Sequence, residues 1–249
     1  MGLKTFIKKS FYNFKFLEKK NSQIKNHVIL ITGASSGIGL GLCKRLIKDN
    51  KIIAIFNNNE TNLKEIESSN LTYLKCDLSN LSNYQEIEKK ITENEIELFF
   101  NCAGQFGTSN QSIADMDFDN FLNILKINSL SILKILQIIN KHNKMKYLKK
   151  IINISSDGGS IEMNDQGNAY IYRTSKSALN SISKNLSIDL KKRFGTSVIS
   201  IDPGNVKTNM NNKGYLSPEK CSEYLVDIIS DNKDYNGAFI NLLKKKIPW

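Results

Sequence analysis

A short apolar run that passes straight into a glycine-rich turn narrows the fold more than any other feature of this chain. Val28-Ile29-Leu30-Ile31 has the form of a parallel strand covered on both faces. It leads into Thr32-Gly33-Ala34-Ser35-Ser36-Gly37-Ile38-Gly39, and a helical stretch, Leu40–Lys48, follows. In such a turn Gly33 permits the tight bend, Gly37 lets a pyrophosphate approach the backbone, and Gly39 lets helix and strand pack closely. The new helix then aims its free N–H groups and its positive dipole end at phosphates. Ser35 and Ser36 can hydrogen-bond a phosphate, or serve only as turn residues. A strand before and a helix after favour dinucleotide binding over a bare glycine loop.

The strand pattern recurs at Lys51–Phe56, Leu71–Cys76, Ile96–Phe100, Ile151–Ile154, Val198–Ile201 and Gly237–Asn241. Helical stretches alternate with these runs, which predicts an α/β fold: a doubly wound parallel sheet of about seven strands with helices on both faces. The chain has 249 residues and three prolines, with no repeat and no low-complexity linker, so one domain over residues 27–249 is expected. Ligands of open α/β sheets bind outside the carboxyl ends of the strands. That rule gathers Asn57, Asp77, Asn101, Ser155-Ser156 and Asp202-Pro203-Gly204 along one edge.

Tyr172 and Lys176 stand four residues apart at the start of a helical stretch, which puts phenol and ammonium on one face, one turn apart. A close ammonium can lower a tyrosine pKa by roughly one to three units, so Lys176 is expected to lower that of Tyr172. Tyr170 makes a poor candidate, because four residues on stands Thr174.

In these residues the chain resembles the short-chain dehydrogenase/reductase family, with its Rossmann-type fold. Thr32-Gly33-x-x-x-Gly37-x-Gly39 has the family's glycine spacing and includes Ile38. Asn101-Cys102-Ala103-Gly104 is similar to its Asn-Asn-Ala-Gly turn, from which Cys102 departs. Pro203-Gly204-Asn205-Val206-Lys207-Thr208 resembles its Pro-Gly-x-x-x-Thr turn, and Tyr172 to Asn180 with the short segment 209–217 looks most like the C-factor and sniffer-type carbonyl reductases.

The resemblance implies hydride transfer between NAD(P)(H) and a small carbonyl or alcohol substrate. Tyr172 would be the general acid/base, with Ser156, Lys176 and Asn128 completing the catalytic set. Ser155 is the alternative to Ser156 by one residue. Asp77 and the Leu78 backbone would touch the adenine, or Asp77 would cap the helix expected near Leu81. Asn101 would brace the central strand while Ala103 and Gly104 leave room for the cofactor. Val206 and Thr208 would hold the carboxamide. Asn57 stands where NADP-preferring relatives often carry Arg and brings no carboxylate, a lean toward NADP over NAD. A catalytically silent NAD(P)-binding regulatory or signalling protein on the same fold is the rival reading.

The stretch from Phe118 to Ile139 is apolar all round, which requires cover on every side and predicts a homodimer or tetramer. Of the net charge of +11, +6 lies in residues 1–25, so the distribution argues against nucleic acid. Leu3, Ile7, Phe11, Phe14 and Leu17 recur at helical steps there, so residues 1–26 read as a basic amphipathic leader, resting on an anionic membrane surface or forming a tail to the domain. Four cysteines without ligand spacing argue against metal and disulfides and for a reduced, cytoplasmic protein.

Overall fold

The computed structural model describes residues 24–109 and 111–249. Its strands are β1 (Val28–Thr32), β2 (Lys51–Phe56), β3 (Leu71–Lys75), β4 (Leu98–Asn101), β5 (Lys150–Ile154), β6 (Ser197–Asp202) and β7 (Phe239–Asn241). They form one sheet in the order β3-β2-β1-β4-β5-β6-β7, with every neighbouring pair parallel. The helices are α1 (Gly37–Leu46), α2 (Thr61–Lys64), α3 (Gln85–Glu93), α4 (Phe118–Leu125), α5 (Ser131–Lys141), α6 (Tyr170–Phe194) and α7 (Pro218–Ile229).

Period-two alternation divides each strand between two apolar layers. Ile29, Ile31, Ile52, Ala54 and Ile152 pack with α1 and α7, whereas Leu30, Ile53, Ile55 and Ile151 pack with α3, α5 and α6. Both faces are covered, which is why the central strands are apolar at consecutive positions. Each fully buried aliphatic side chain contributes about 1.5–3 kcal/mol relative to exposure. This is the Rossmann-type doubly wound sheet. After β3 the chain returns to the other side of β1, so the order reverses between β1 and β4 and leaves a crevice at their carboxyl ends.

Some boundaries differ from the expected ones for local reasons. Asn101 pairs with Thr32 and so belongs to β4, while Gly237, at φ +69°, sits in the turn before β7. The helix after β3 starts at Gln85 instead of near Leu81, so Asp77 does not cap it. The Asp77 carboxylate instead accepts from Ser79 N at 2.9 Å and Ser79 Oγ at 2.7 Å, a local turn that competes with helix. α7 starts as its sequence prescribes: the Ser217 hydroxyl accepts from Lys220 N at 3.1 Å, with Pro218 in the first turn.

From Phe118 to Lys141 the chain is helical throughout, with a π-turn at Lys126–Leu130. By length and composition this stretch could cross a membrane. It lies against the sheet, however, with Ile132, Ile135 and Ile139 buried. Residue Ile24 is buried in the core and its carbonyl accepts from Asn50 Nδ2 at 2.8 Å. The expected leader helix lies, up to residue 23, outside the described residues.

Candidate active site

At the crevice the glycine turn closes on β4 with backbone against backbone. A Cβ on Gly33, which has φ +66°, would lie 2.9 Å from the Ala103 backbone. One on Gly39 would overlap the Gly33 carbonyl. Ser36 stands at the N-cap of α1 without a side-chain cap, and no acidic residue follows in the first turn. The free N–H groups of that turn therefore face outward with a partial positive charge. Beside them opens a cleft of about 590 Å³ lined by Ser36, Gly37, Leu40, Lys207 and Thr208 among others. This uncapped end, the glycine cradle and a lysine on the wall fit the pyrophosphate of a dinucleotide.

The Pro203-Gly204 turn approaches the same end, because a Cβ on Gly37 would meet Thr208 Cγ2 at 3.0 Å. Asn62 donates to the Ser35 carbonyl at 3.0 Å and fixes the other side of the loop. Asn57, half-buried, sits just past β2. Leu78 is buried, and its carbonyl accepts from the Tyr84 hydroxyl at 2.9 Å.

A buried polar chain ties the centre of the sheet together. Thr32 Oγ1 accepts from Cys102 N and Ala103 N and donates to Asn101 Oδ1 at 3.1 Å. Asn101 Nδ2 donates to Asn153 Oδ1 at 3.0 Å, and Asn153 Nδ2 donates to Ser183 Oγ at 2.8 Å. Such a network fixes strand register, since every member would be costly to leave unpaired.

Tyr172, Ser156, Lys176 and Asn128 come together just outside β4 and β5. A Cβ on Gly158 would lie 3.4 Å from Ser156 Oγ and 3.5 Å from Tyr172 Cε1, so the two side chains border one small space that glycine keeps open. Ser155, the alternative, is buried and donates to Asn180 Oδ1 at 2.7 Å, away from Tyr172. Ser156 Oγ accepts from Gly158 N at 3.1 Å and donates to Asp157 Oδ1 at 3.1 Å. Its single proton is thus directed at Asp157. Lys176 is buried and donates to the Ile154 carbonyl at 2.9 Å.

Asn128 lies in the π-turn, a geometry frequent at functional sites. Its Nδ2 donates to Gln105 O and Ser175 Oγ, both at 2.9 Å, and its Oδ1 accepts from Gln105 N at 2.9 Å. A Cβ on Gly104 would lie 3.4 Å from Lys176 Nζ and 3.6 Å from Asn128 Oδ1, so glycine keeps that space open.

The electrostatics correct one expectation. Tyr172 is pushed up to about 12, first by burial; the nearby Ser156 hydroxyl opposes this and the Asp202 and Asp157 charges add to it. Lys176 Nζ lies 5.9 Å from the Tyr172 ring centroid and is engaged by Ile154, so it does not lower the phenol in this arrangement. Burial instead brings Lys176 itself down to about 8, against the Cys102 and Asp202 contributions. Sequence spacing gives proximity on a helix face, but desolvation depends on the whole surround.

Two residues at the site escaped the sequence. Gln111 accepts from Tyr172 N at 3.0 Å, and the Phe106 ring lies 5.0 Å from that of Tyr172. Neither sits in a motif, and only the chain reversal after β4 brings them there. The loop before Tyr172 holds Gly167, Asn168 and Ala169 all at positive φ. Its start is tied down where Ile161 N and Glu162 N donate to the Trp249 carbonyl at 3.1 and 3.2 Å.

Fold and site together define a dinucleotide-binding oxidoreductase architecture. A family model described as short chain dehydrogenase matches residues 27–217, and the chain belongs to that family. It is 33% identical over 187 residues to the 3-oxoacyl-acyl-carrier-protein reductase FabG of Rickettsia prowazekii, covering 74% of each protein. It is 31% identical over 104 residues to the C-signal protein of Myxococcus xanthus, which is 41% of this chain and 62% of that protein, less than two thirds of its length. Among solved structures it is similar to the carbonyl reductase Sniffer of D. melanogaster, with 29% identity and a TM-score of 0.81 over 90% of this chain and all of that one.

Proposed function

We propose that this protein is an NADP(H)-preferring carbonyl reductase in which Tyr172 is the proton donor. The observation that carries this reading is the convergence of the Tyr172 phenol, the Ser156 hydroxyl and Lys176 outside β5, beside a glycine cradle suited to the dinucleotide. The bound reduced nicotinamide supplies the hydride. Tyr172 Oη gives its proton to the oxygen that becomes alkoxide, and Ser156 Oγ hydrogen-bonds the same oxygen. A phenol pushed up to about 12 keeps its proton through the neutral range, which suits the reductive direction. Lys176 and Asn128 line the space kept open by Gly104, where Lys176 can hold ribose hydroxyls and Asn128 can hold a water beside it. The absence of a carboxylate at Asn57 supports NADP over NAD.

The decisive experiment is Tyr172→Phe. Turnover of aldehydes and ketones, read at the nicotinamide absorbance, should fall about 10²–10⁴-fold while NADPH binding persists. Unchanged turnover removes the assignment. A wild-type protein that binds NADPH but reduces no carbonyl compound would instead be the silent nucleotide-binding protein.

Phe118, Leu122, Leu130, Leu133 and Ile188 are exposed on α4, α5, the π-turn between them and α6, and this apolar surface supports a homodimer or tetramer. Sedimentation at micromolar concentration should give at least twice the chain mass, and a monomer would count against assembly. The four free thiols, three of them buried, suit a reducing cytoplasmic setting.

A further inference from the structure

The loop after β4 carries a hydrogen-bonded clamp on which nothing in the proposed reaction yet draws. Gln111 is only 5% exposed. Its Oε1 accepts from Tyr172 N at 3.0 Å, and its Nε2 donates to Phe106 O at 2.8 Å and Thr108 O at 2.9 Å. Tyr172 N belongs to the first turn of α6, where an N–H has no partner within its own helix. One buried side chain therefore fixes the backbone of residue 172 relative to that of residue 106.

The rest of the loop is pressed into place around this clamp. Gly107 has φ +92°, and a Cβ there would meet Asn120 Oδ1 at 3.0 Å and Ile171 Cγ2 at 3.3 Å. Asn120 Oδ1 accepts from Thr108 N at 3.1 Å, which anchors the loop to α4. The outcome is a Phe106 ring tilted 33° to the Tyr172 ring at 5.0 Å, with 36% of Phe106 still exposed. A partly exposed aromatic face beside the proton donor would prefer another flat ring, since aromatic pairs gain more than their area burial. The Asp157 carboxylate, 3.1 Å from Ser156 Oγ, stands at the same site, so a further negative charge on a substrate would be repelled.

We propose that Gln111 is a positioning residue that holds Phe106 as an aromatic wall beside Tyr172, and that the site thereby selects neutral carbonyl compounds with an aryl group next to the carbonyl. This rests on Tyr172 as proton donor, and the experiment separates the two ideas. The reaction is unaltered: hydride from NADPH adds to the carbonyl carbon and the proton from Tyr172 to its oxygen.

The test measures kcat and KM with NADPH for benzaldehyde, cyclohexanecarbaldehyde and 4-carboxybenzaldehyde. The wild type should favour benzaldehyde over both others in kcat/KM. Phe106→Leu should cut the benzaldehyde to cyclohexanecarbaldehyde ratio about 3–10-fold, chiefly through KM, with NADPH affinity from nicotinamide fluorescence unchanged. Gln111→Leu should lower kcat about 10-fold for all three and relax the ratio. Gln111→Glu keeps the acceptor for Tyr172 N but loses the donors to Phe106 and Thr108, so the ratio should collapse while more of kcat survives. That split, which general loosening of the fold would not produce, remains readable if Gln111→Leu fails to fold. A ratio equal in wild type, Phe106→Leu and Gln111→Glu, or a preference for the carboxylated aldehyde, overturns the wall. Turnover by Tyr172→Phe, or none by the wild type with any aldehyde, overturns the proton-donor reading instead.

Discussion

On the nucleotide side of the crevice, main chain packs on main chain, and the contacts ask for no particular side chain. Gly33 meets Ala103, Gly39 meets the Gly33 carbonyl, and the α1 terminus offers N–H groups that every sequence possesses. On the substrate side the contacts are made by particular side chains: Gln111 to the Tyr172 backbone, and Asn128 to the Ser175 hydroxyl and the Gln105 backbone. The first side needs only the absence of side chains at fixed places. The second needs particular side chains at positions set by loop geometry, so it can change substrate without disturbing the cofactor.

Substitutions can break this contrast in descending order of effect. Gly39→Val should abolish dinucleotide binding altogether, because any Cβ there overlaps the Gly33 carbonyl. Fluorescence titration with NADPH checks this, and normal binding by the variant would show that backbone contact is not what shapes the cradle.

Lys176→Met should abolish reduction yet make the cofactor-free protein more stable at neutral pH, since it removes a buried ammonium. The folded pKa of about 8 lies below the ordinary 10.5. Between those values the unfolded chain holds a proton that the folded one has released, so in the wild type this group makes stability rise with pH across that window. Below it both states are protonated and the penalty is constant. Urea midpoints at pH 7 and pH 10 should therefore differ less in the variant, and equal differences would mean that Lys176 is not penalised by burial.

Asn57→Asp is the mildest change. A carboxylate just past β2 should shift preference from NADPH toward NADH by about tenfold without changing the benzaldehyde to cyclohexanecarbaldehyde ratio. A change in both would mean that the two sides are coupled.

The legibility of the sequence follows the same division. Val28–Ile31 with the glycines after it announced strand, turn and helix, because apolar periodicity and glycine are local statements. The row of strand ends carrying Asn101, Ser156 and Asp202 was also readable once a parallel sheet was expected. The alternative for Asp77, a helix cap, failed because the local turn to Ser79 engages its carboxylate and the helix starts later, at Gln85. Gln111 and Phe106 gave no signal, and the Tyr172 pKa was expected to move in the wrong direction.

Residue pattern by itself determined the parallel sheet, the glycine turn at the crevice and the placing of Tyr172 and Lys176 on one helix face, since each depends on spacings of a few residues along one element. Only the tertiary structure decided which serine meets Tyr172, which way burial moves the titrating groups and which ring stands beside the phenol. Those outcomes depend on desolvation and on contacts across tens of residues, quantities that exist only when distant segments share one volume.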